Sequence, residues 1–293
     1  MQLHLVDATY ELFRAHFSPR PGTHAPDGRD VGAVVGLLYT LLTLLRDEGA
    51  THVGCATDHV IRSYRNDLYP GYKTEAGVPA ELLAQFPLAE RAMEAMGLVV
   101  WPMVQFEADD ALATAAVRWA DAPGVERVWI CTPDKDLAQC VRGDRVVMRD
   151  RRHERTVDEA GVVARWGVKP ASIPDYLALV GDAADGFPGL PGWGARSAAA
   201  VLGRFEHLEE IPADIGEWHV SVRSATTLNA TLRAQWPDAQ LFRRLATLDV
   251  DAPLPQQDPE ELRWRGAHRT EFRALCEELG QPRLAGRPHL WQD

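Results

Sequence analysis

The stretch LVVWPMVQFEADDALATAAVRWADAPGVERVWICT, residues 98–132, decides the fold class. Leu98–Pro102 is a short run of β-formers, Ala108–Ala120 has helical periodicity, and Arg127–Thr132 is β-type again. Strand, helix, strand is the pattern of a layered α/β protein with parallel pairing. The alternation continues outward from there. Gln2–Val6 is a first strand ending at Asp7, Val31–Arg46 a helix apolar on nearly every side, and His52–Thr57 a second strand ending at Asp58. Glu81–Met96 follows as one amphipathic helix, and Arg145–Arg149 is a fifth strand. The pattern predicts an α/β fold, a largely parallel sheet flanked by helices, with sites beyond the carboxyl ends of its strands.

After about residue 157 the pattern changes. Asp158–Trp166, Ile173–Val180 and Ala195–Phe205 read as helices joined by Gly/Pro-rich turns, with no strand signal. Arg223–Leu248 reads as helical, Pro253–Pro259 as a linker and Glu271–Leu279 as a last helix. The expected division is a core over 1–157 and a smaller helical domain over 158–293.

Hydrophobic residues make up 46% and charged residues 25%, which excludes a disordered chain, a collagen-like repeat and a disulfide miniprotein. Cys55, Cys131, Cys140 and Cys276 form no CxxC pair, as suits reduced thiols. Residues 1–7 lack a basic n-region, so no signal peptide is expected. The longest uncharged apolar run, Gly32–Leu45, is too short to cross a bilayer. The expectation is a cytoplasmic protein without membrane attachment. Taken by sign alone, the net charge of −11 argues against a nucleic-acid partner, but much of the acid is concentrated.

Asp7 and Asp58 each end an expected strand. Glu107, Asp109 and Asp110 open the helix in FEADDALA; Asp134 and Asp136 lie in TPDKDL; Asp182 and Asp185 lie in LVGDAADGFPGLPGWG. In a parallel sheet the first seven gather at one edge. An aspartate at a strand end ordinarily caps a turn or helix, and acids in a first helical turn ordinarily answer the dipole. Those roles do not account for the collection. Two carboxylates ~4 Å apart repel by about 4 kcal/mol at an effective dielectric near 20, so crowding calls for protons or cations. Carboxylate oxygens without His or Cys nearby are the donors that Mg²⁺ or Mn²⁺ take. Two such ions roughly 3.5–4 Å apart can activate a water and stabilise the leaving oxygen of a phosphodiester. These nine acids leave the rest of the chain near −2.

Tyr64–Lys73 reads YRNDLYPGYK, setting Arg65 and Lys73 beside Tyr64, Tyr69 and Tyr72. Such residues suit phosphate contacts and stacking on unpaired bases; an ordinary exposed loop is the competing reading. Arg14 follows Asp7 by seven residues. Gly189–Gly194 runs into a helix bearing Arg196 and Ser197, where backbone N–H groups can meet a phosphate oxygen; a plain helix–helix turn competes here. The arginines from Arg142 to Arg155 suit a solvated hairpin face. No HExxH, GxSxG or GxGxxG after the first strand occurs.

Together LVDATYELFRAHF, TDHVIRSYRNDLYPGYK, FEADDALA, CTPDKDLAQCV and LVGDAADGFPGLPGWGARSAAAVL resemble the 5′-nuclease family. That family comprises the 5′→3′ exonuclease domain of bacterial DNA polymerase I, its phage relatives and the flap endonucleases. The likeness runs from Leu3 to about Leu208. It implies a PIN-like core with a helix–three-turn–helix domain, and metal-dependent hydrolysis of DNA at 5′ flaps, nicks or duplex ends in replication or repair. A first metal cluster would map onto Asp7, Asp58, Glu107, Asp109 and Asp110, and a second onto Asp134, Asp136, Asp182 and Asp185. Both would hold Mg²⁺ or Mn²⁺. Arg14, Arg65 and Lys73 would engage the scissile phosphate. Residues near 62–90, with Tyr72, would form an arch admitting a 5′ strand. Gly189, Gly192, Gly194, Arg196 and Ser197 would grip the duplex backbone, with K⁺ at the turn. The resemblance further implies a monomer linked in function to a DNA polymerase and ligase; an end at Asp293 suggests a stand-alone nuclease. Gly186 stands where the family commonly has Asn. Two other readings stay open: a PIN-type ribonuclease and a non-catalytic binder of DNA structures.

Overall fold

In the computed structural model, residues 1–19 and 22–292 are described. In chain order the elements begin β1 (Gln2–Asp7), α1 (Ala8–His16), α2 (Gly32–Arg46), β2 (His52–Asp58), α3 (Arg65–Leu68), α4 (Ala80–Leu83) and α5 (Phe86–Ala95). They continue as β3 (Val99–Met103), α6 (Ala108–Trp119), β4 (Arg127–Cys131), β5 (Val146–Asp150), β6 (Arg155–Val157) and α7 (Glu159–Trp166). The last helices are α8 (Ile173–Val180), α9 (Ala195–Phe205), α10 (Ala225–Ala234), α11 (Trp236–Ala246) and α12 (Arg269–Glu278). Packing divides the chain into two units. Unit 1 takes Met1–Ile61, Glu75–Thr132 and the residues from Val250 onward; unit 2 takes Arg62–Thr74 and Pro133–Asp249. No helix among the described residues is long and apolar enough to cross a membrane.

Unit 1 is built on parallel strands in the order β3-β2-β1-β4. Val6 lies opposite Cys55 on one side and Cys131 on the other. The chain steps from β1 to β2 to β3 in one direction, then places β4 on the far side of β1. Strand order therefore reverses beside β1, and in α/β sheets a crevice opens at the carboxyl ends where such a reversal occurs. The leucine-rich α2 is buried along most of its surface, as its all-round apolar sequence requires. Each of its fully buried leucines contributes about 1.5–3 kcal/mol of burial.

Two expected helices are broken. Residues 81–96 form α4 and α5, separated at Gln85, with Pro87 in the first turn of α5. Proline offers no N–H to a preceding turn, so the helix restarts there. The Gln85 side chain is buried, and its Oε1 accepts the N–H groups of Ala33 at 3.0 Å and Val34 at 3.2 Å. It thereby serves the first turn of α2, which has no side-chain cap of its own. Residues 223–248 likewise divide at Gln235 into α10 and α11, with Pro237 opening the second. A two-residue parallel pair, Ala267–His268 with Trp291–Gln292, forms where no strand signal was read.

In unit 2, β5 and β6 form an antiparallel hairpin with Met148 opposite Val157, carrying the arginine-rich stretch as expected. Helix α8 packs on α11 and α9. Phe187 stacks on Phe242 with centroids 5.7 Å apart, and Tyr69 meets Phe242 edge-on at 5.9 Å. Such pairs add about 0.5–1.5 kcal/mol beyond their buried area.

Candidate functional site

In unit 1, β1 and β2 deliver Asp7 and Asp58 to the same end of adjacent parallel strands. Asp7 caps α1: Oδ1 accepts the Tyr10 N–H at 2.8 Å, and Oδ2 accepts the Thr132 hydroxyl at 3.0 Å. Thr132 follows β4, so this aspartate bridges the point where strand order reverses. Asp58 Oδ1 accepts the N–H of Ala108, the first residue of α6, at 2.8 Å. Glu107 is the N-cap of α6 in a reciprocal capping box with Asp110, whose Oδ2 accepts the Glu107 N–H at 2.9 Å. Asp7, Asp58, Glu107 and Asp110 are buried, and Asp109 is half-buried. The hydrogen bonds that serve the helix ends also hold these carboxylates in place. Sequence reasoning missed Glu90. Its oxygens take the Thr57 hydroxyl at 2.8 Å and the His59 Nδ1 at 2.9 Å, which holds both neighbours of Asp58. The available signal was a glutamate on the buried face of α5.

In unit 2, oxygens of Asp136, Asp182 and Asp185 all lie within 4.8 Å of one another, the one such group among the described residues. Asp136 is buried, and its Oδ1 has no hydrogen-bond partner among the described residues. Burial pushes its carboxyl well above the usual range; the charges of Asp134, Asp185 and Asp182 push the same way, and Lys135 opposes them. Asp134 stands outside the trio; it is exposed, and its Oδ1 accepts the Asp136 N–H at 3.2 Å. Two of the chain's three lysines serve the trio. Lys135 pairs with Asp182, and Lys73 Nζ lies 3.2 Å from Asp185 Oδ1. Burial alone would lower the Lys135 ammonium, but the Asp182 hydrogen bond and the surrounding aspartates raise it.

Three residues expected at the DNA have partners within the protein. Tyr72, read as a stacking platform, is 3% exposed, and its hydroxyl donates to Asp185 Oδ2 at 3.2 Å. Arg65, read as a phosphate contact, is 1% exposed. Its Nε donates to Leu245 O at 2.9 Å and its Nη2 to Thr247 O at 3.0 Å, at the end of α11. Arg14 pairs with Glu11 and donates to Thr40 Oγ1 at 2.8 Å.

Gly186 has a steric reason for being glycine. Its φ is +83°, and a Cβ there would lie 2.3 Å from Gly71 O. The close approach seats the Asp182–Phe187 loop against Lys73, whose N–H donates to Asp185 O at 3.0 Å. Gly186→Ala is expected to cost about 1–3 kcal/mol and to lower the temperature of thermal unfolding; an unchanged transition would show that the loop yields without cost.

The turn Gly189–Gly194 joins α8 to α9. Gly194 is the N-cap of α9; its N–H donates to Ser197 Oγ at 3.1 Å, and that hydroxyl donates to Gly194 O at 2.9 Å. Gly192, Gly194, Arg196 and Ser197 line an open cavity of about 720 Å³, whose other wall includes Arg223 and Ser224 at the start of α10. Arg223 was not singled out from sequence, because an arginine among serines acquires meaning only once the two turns face each other. Two helix N-termini and two arginines suit an anionic backbone.

Residues 2–167 match the family described as 5′-3′ exonuclease, N-terminal resolvase-like domain, and residues 168–270 match the 5′-3′ exonuclease, C-terminal SAM fold. DNA polymerase I of Rhizobium leguminosarum is 36% identical over 260 residues, covering 86% of this chain and 25% of the relative. The chain spans 25% to 31% of the DNA polymerase I relatives it matches. The 5′-3′ exonuclease of Streptomyces coelicolor is 33% identical over 269 residues, covering 86% of this chain and 87% of the relative. Among solved structures, the T5 D15 protein co-crystallised with metal ions shares the fold at a TM-score of 0.66 and 16% identity, covering 97% of this chain and 100% of that one. The catalytic core of Rad2 in complex with DNA substrate aligns at 0.61 and 14% identity, covering 96% and 87%. With both domains matched in order over most of its length, the chain belongs to the 5′-3′ exonuclease family.

Proposed function

We propose that this protein is a divalent-metal-dependent nuclease that hydrolyses phosphodiesters at 5′ flaps, nicks or duplex ends of DNA. The observation that carries the reading is the trio Asp136, Asp182 and Asp185, the first two buried and the third half-buried, with oxygens within 4.8 Å and one of them without a hydrogen-bond partner among the described residues. An all-oxygen, anionic donor set fits a hard cation such as Mg²⁺ or Mn²⁺. In unit 1, Asp7, Asp58, Glu107, Asp109 and Asp110 are the corresponding donors. When bound, such an ion supplies Lewis acidity that activates water and stabilises a leaving oxygen.

The chain's own groups do the orienting. Tyr10 N–H and the Thr132 hydroxyl fix Asp7, Ala108 N–H fixes Asp58, and Tyr72 fixes Asp185. Lys73 and Lys135 concentrate positive charge beside the unit 2 carboxylates and offer it to phosphate as point charges. Gly192, Gly194, Arg196 and Ser197 hold the duplex by its backbone, which gives register without sequence preference. The metal-bearing T5 D15 structure and the DNA-bound Rad2 core support the reading by analogy of fold.

The test is cleavage of 5′-flap and nicked DNA with Mg²⁺ or Mn²⁺. Activity should vanish in EDTA and return with added metal; cleavage that persists in EDTA overturns the chemistry. An RNA flap cut in preference to the DNA flap would make the protein a ribonuclease, and tight flap binding without turnover at any metal concentration would make it a binder.

A further inference from the structure

The cavity between the starts of α9 and α10 in unit 2 has two walls, and the turn Gly189–Gly194 with Arg196 and Ser197 supplies only one of them. The other is the segment from Ser221 to Leu228. Buried contacts tie the walls together from behind. Trp193 is buried, and its indole N–H donates to Leu228 O of α10 at 3.2 Å. The Trp193 ring lies 6.3 Å from that of buried Trp218, whose Nε1 donates to Pro212 O at 2.9 Å. The width of the cavity is therefore set before any ligand arrives.

Its charge has one sign. Arg196 stands on one wall and Arg223 on the other; both are exposed, and no aspartate or glutamate lines the cavity among the described residues. Neither guanidinium has a carboxylate partner among the described residues. The backbone that carries Arg223 is bent at a cost. His219 precedes it with φ +47° and Ser224 follows it with φ +60°, left-handed values that a Cβ opposes. In a chain of net charge −11, two unneutralised arginines across a preset gap mark a seat for an extended anion. Guanidinium forks on opposite walls suit separate phosphates of one backbone better than a single phosphate. We propose that Arg223 is a further substrate-binding residue, which takes a phosphate of the DNA strand that Arg196 holds, so that the backbone runs between the two walls. The proposal rests on the DNA-nuclease reading above for the identity of the polyanion.

The experiment measures binding of the full chain to a fluorescently labelled nicked duplex in EDTA, across a series of KCl concentrations. For Arg223→Gln, affinity should fall about fivefold regardless of DNA sequence, and the slope of log K against log salt should flatten by about one. Adding Arg196→Gln should bring the flattening to about two. Arg223→Lys keeps the charge and should keep most of the slope. Arg204→Gln removes the same charge near the other end of α9, outside the cavity, and should leave the slope near that of wild type. A change there equal to that of Arg223→Gln would assign the effect to net charge and overturn the inference. Phenylglyoxal modification of the wild-type protein, read by mass spectrometry, tests the same contact if Arg223→Gln proves unfolded: the nicked duplex should shield Arg196 and Arg223. Equal modification of Arg223 with and without DNA, or a folded Arg223→Gln variant that binds with wild-type affinity and slope, overturns this inference alone. Wild-type protein that binds no DNA overturns the proposed function, and this inference with it.

Discussion

Asp109→Asn is expected to lower cleavage of flapped or nicked DNA on the order of 10³-fold while the chain stays folded. Asp109 is the second residue of α6 and is half-buried. It stands between the two residues that cap the helix, Glu107 and Asp110, whose mutual hydrogen bonds do not involve it. Asparagine keeps the shape and removes one negative charge from the group that would balance a divalent ion. Helix stability should therefore hold while the electrostatic stabilisation is lost. Asp110 is a less informative target. It is wholly buried and accepts the Glu107 N–H, so an alanine there would cost about 1 kcal/mol of capping along with any chemistry. Single-turnover cleavage and thermal unfolding of the Asp109 variant check the point; turnover within tenfold of wild type would remove this residue from the site.

The second large effect is on stability. Arg65→Ala should destabilise unit 2 by about 3 kcal/mol, because truncation leaves a cavity and strips donors from two buried-side carbonyls. Those carbonyls, Leu245 O and Thr247 O, lie at the C-terminal end of α11, where a positive charge also answers the helix dipole. For a unit of this size the unfolding midpoint should fall by roughly 6–12 °C. Arg65→Lys should fall in between, since one ammonium cannot reproduce the planar fork. If Arg65 acted instead on the scissile phosphate, as its place beside Tyr64 in the sequence suggests, the alanine variant would keep its unfolding temperature and lose turnover. Calorimetry and single-turnover kinetics on one sample separate the two.

Much of the candidate site was legible because its carboxylates sit where local rules put them. Asp7, Asp58 and Glu107 end strands or open helices, and such positions can be read from hydrophobic periodicity alone. The TPDKDL turn and the GDAAD loop were legible as acid-rich breaks after apolar runs. Other features were not legible, for reasons that can be named. The carbonyls that Arg65 meets lie 180 and 182 residues along the chain, so nothing in YRNDLYPGYK distinguishes a buried anchor from an exposed phosphate contact. Tyr72 is hidden for the same reason: its hydroxyl finds Asp185, 113 residues away. The break at Gln85 was signalled by Pro87, but the reason for it, service to the first turn of α2, appears only when the two helices meet. Gly186 is held to glycine because Gly71 O occupies the space a side chain would need, a contact no window of sequence contains.

By itself the sequence determined the alternation of elements, the α/β class and the set of carboxylates available for chemistry. These follow from side-chain patterning over a few residues, and a strand or a capped helix needs no more than that to be specified. The tertiary structure alone decided that strand order reverses beside β1, that Asp136, Asp182 and Asp185 converge while Asp134 stays outside, and which cations face carbonyls and which face carboxylates. Those outcomes depend on pairings across long stretches of chain, where burial and competing hydrogen-bond partners, rather than local propensity, choose among the neighbours a residue could have.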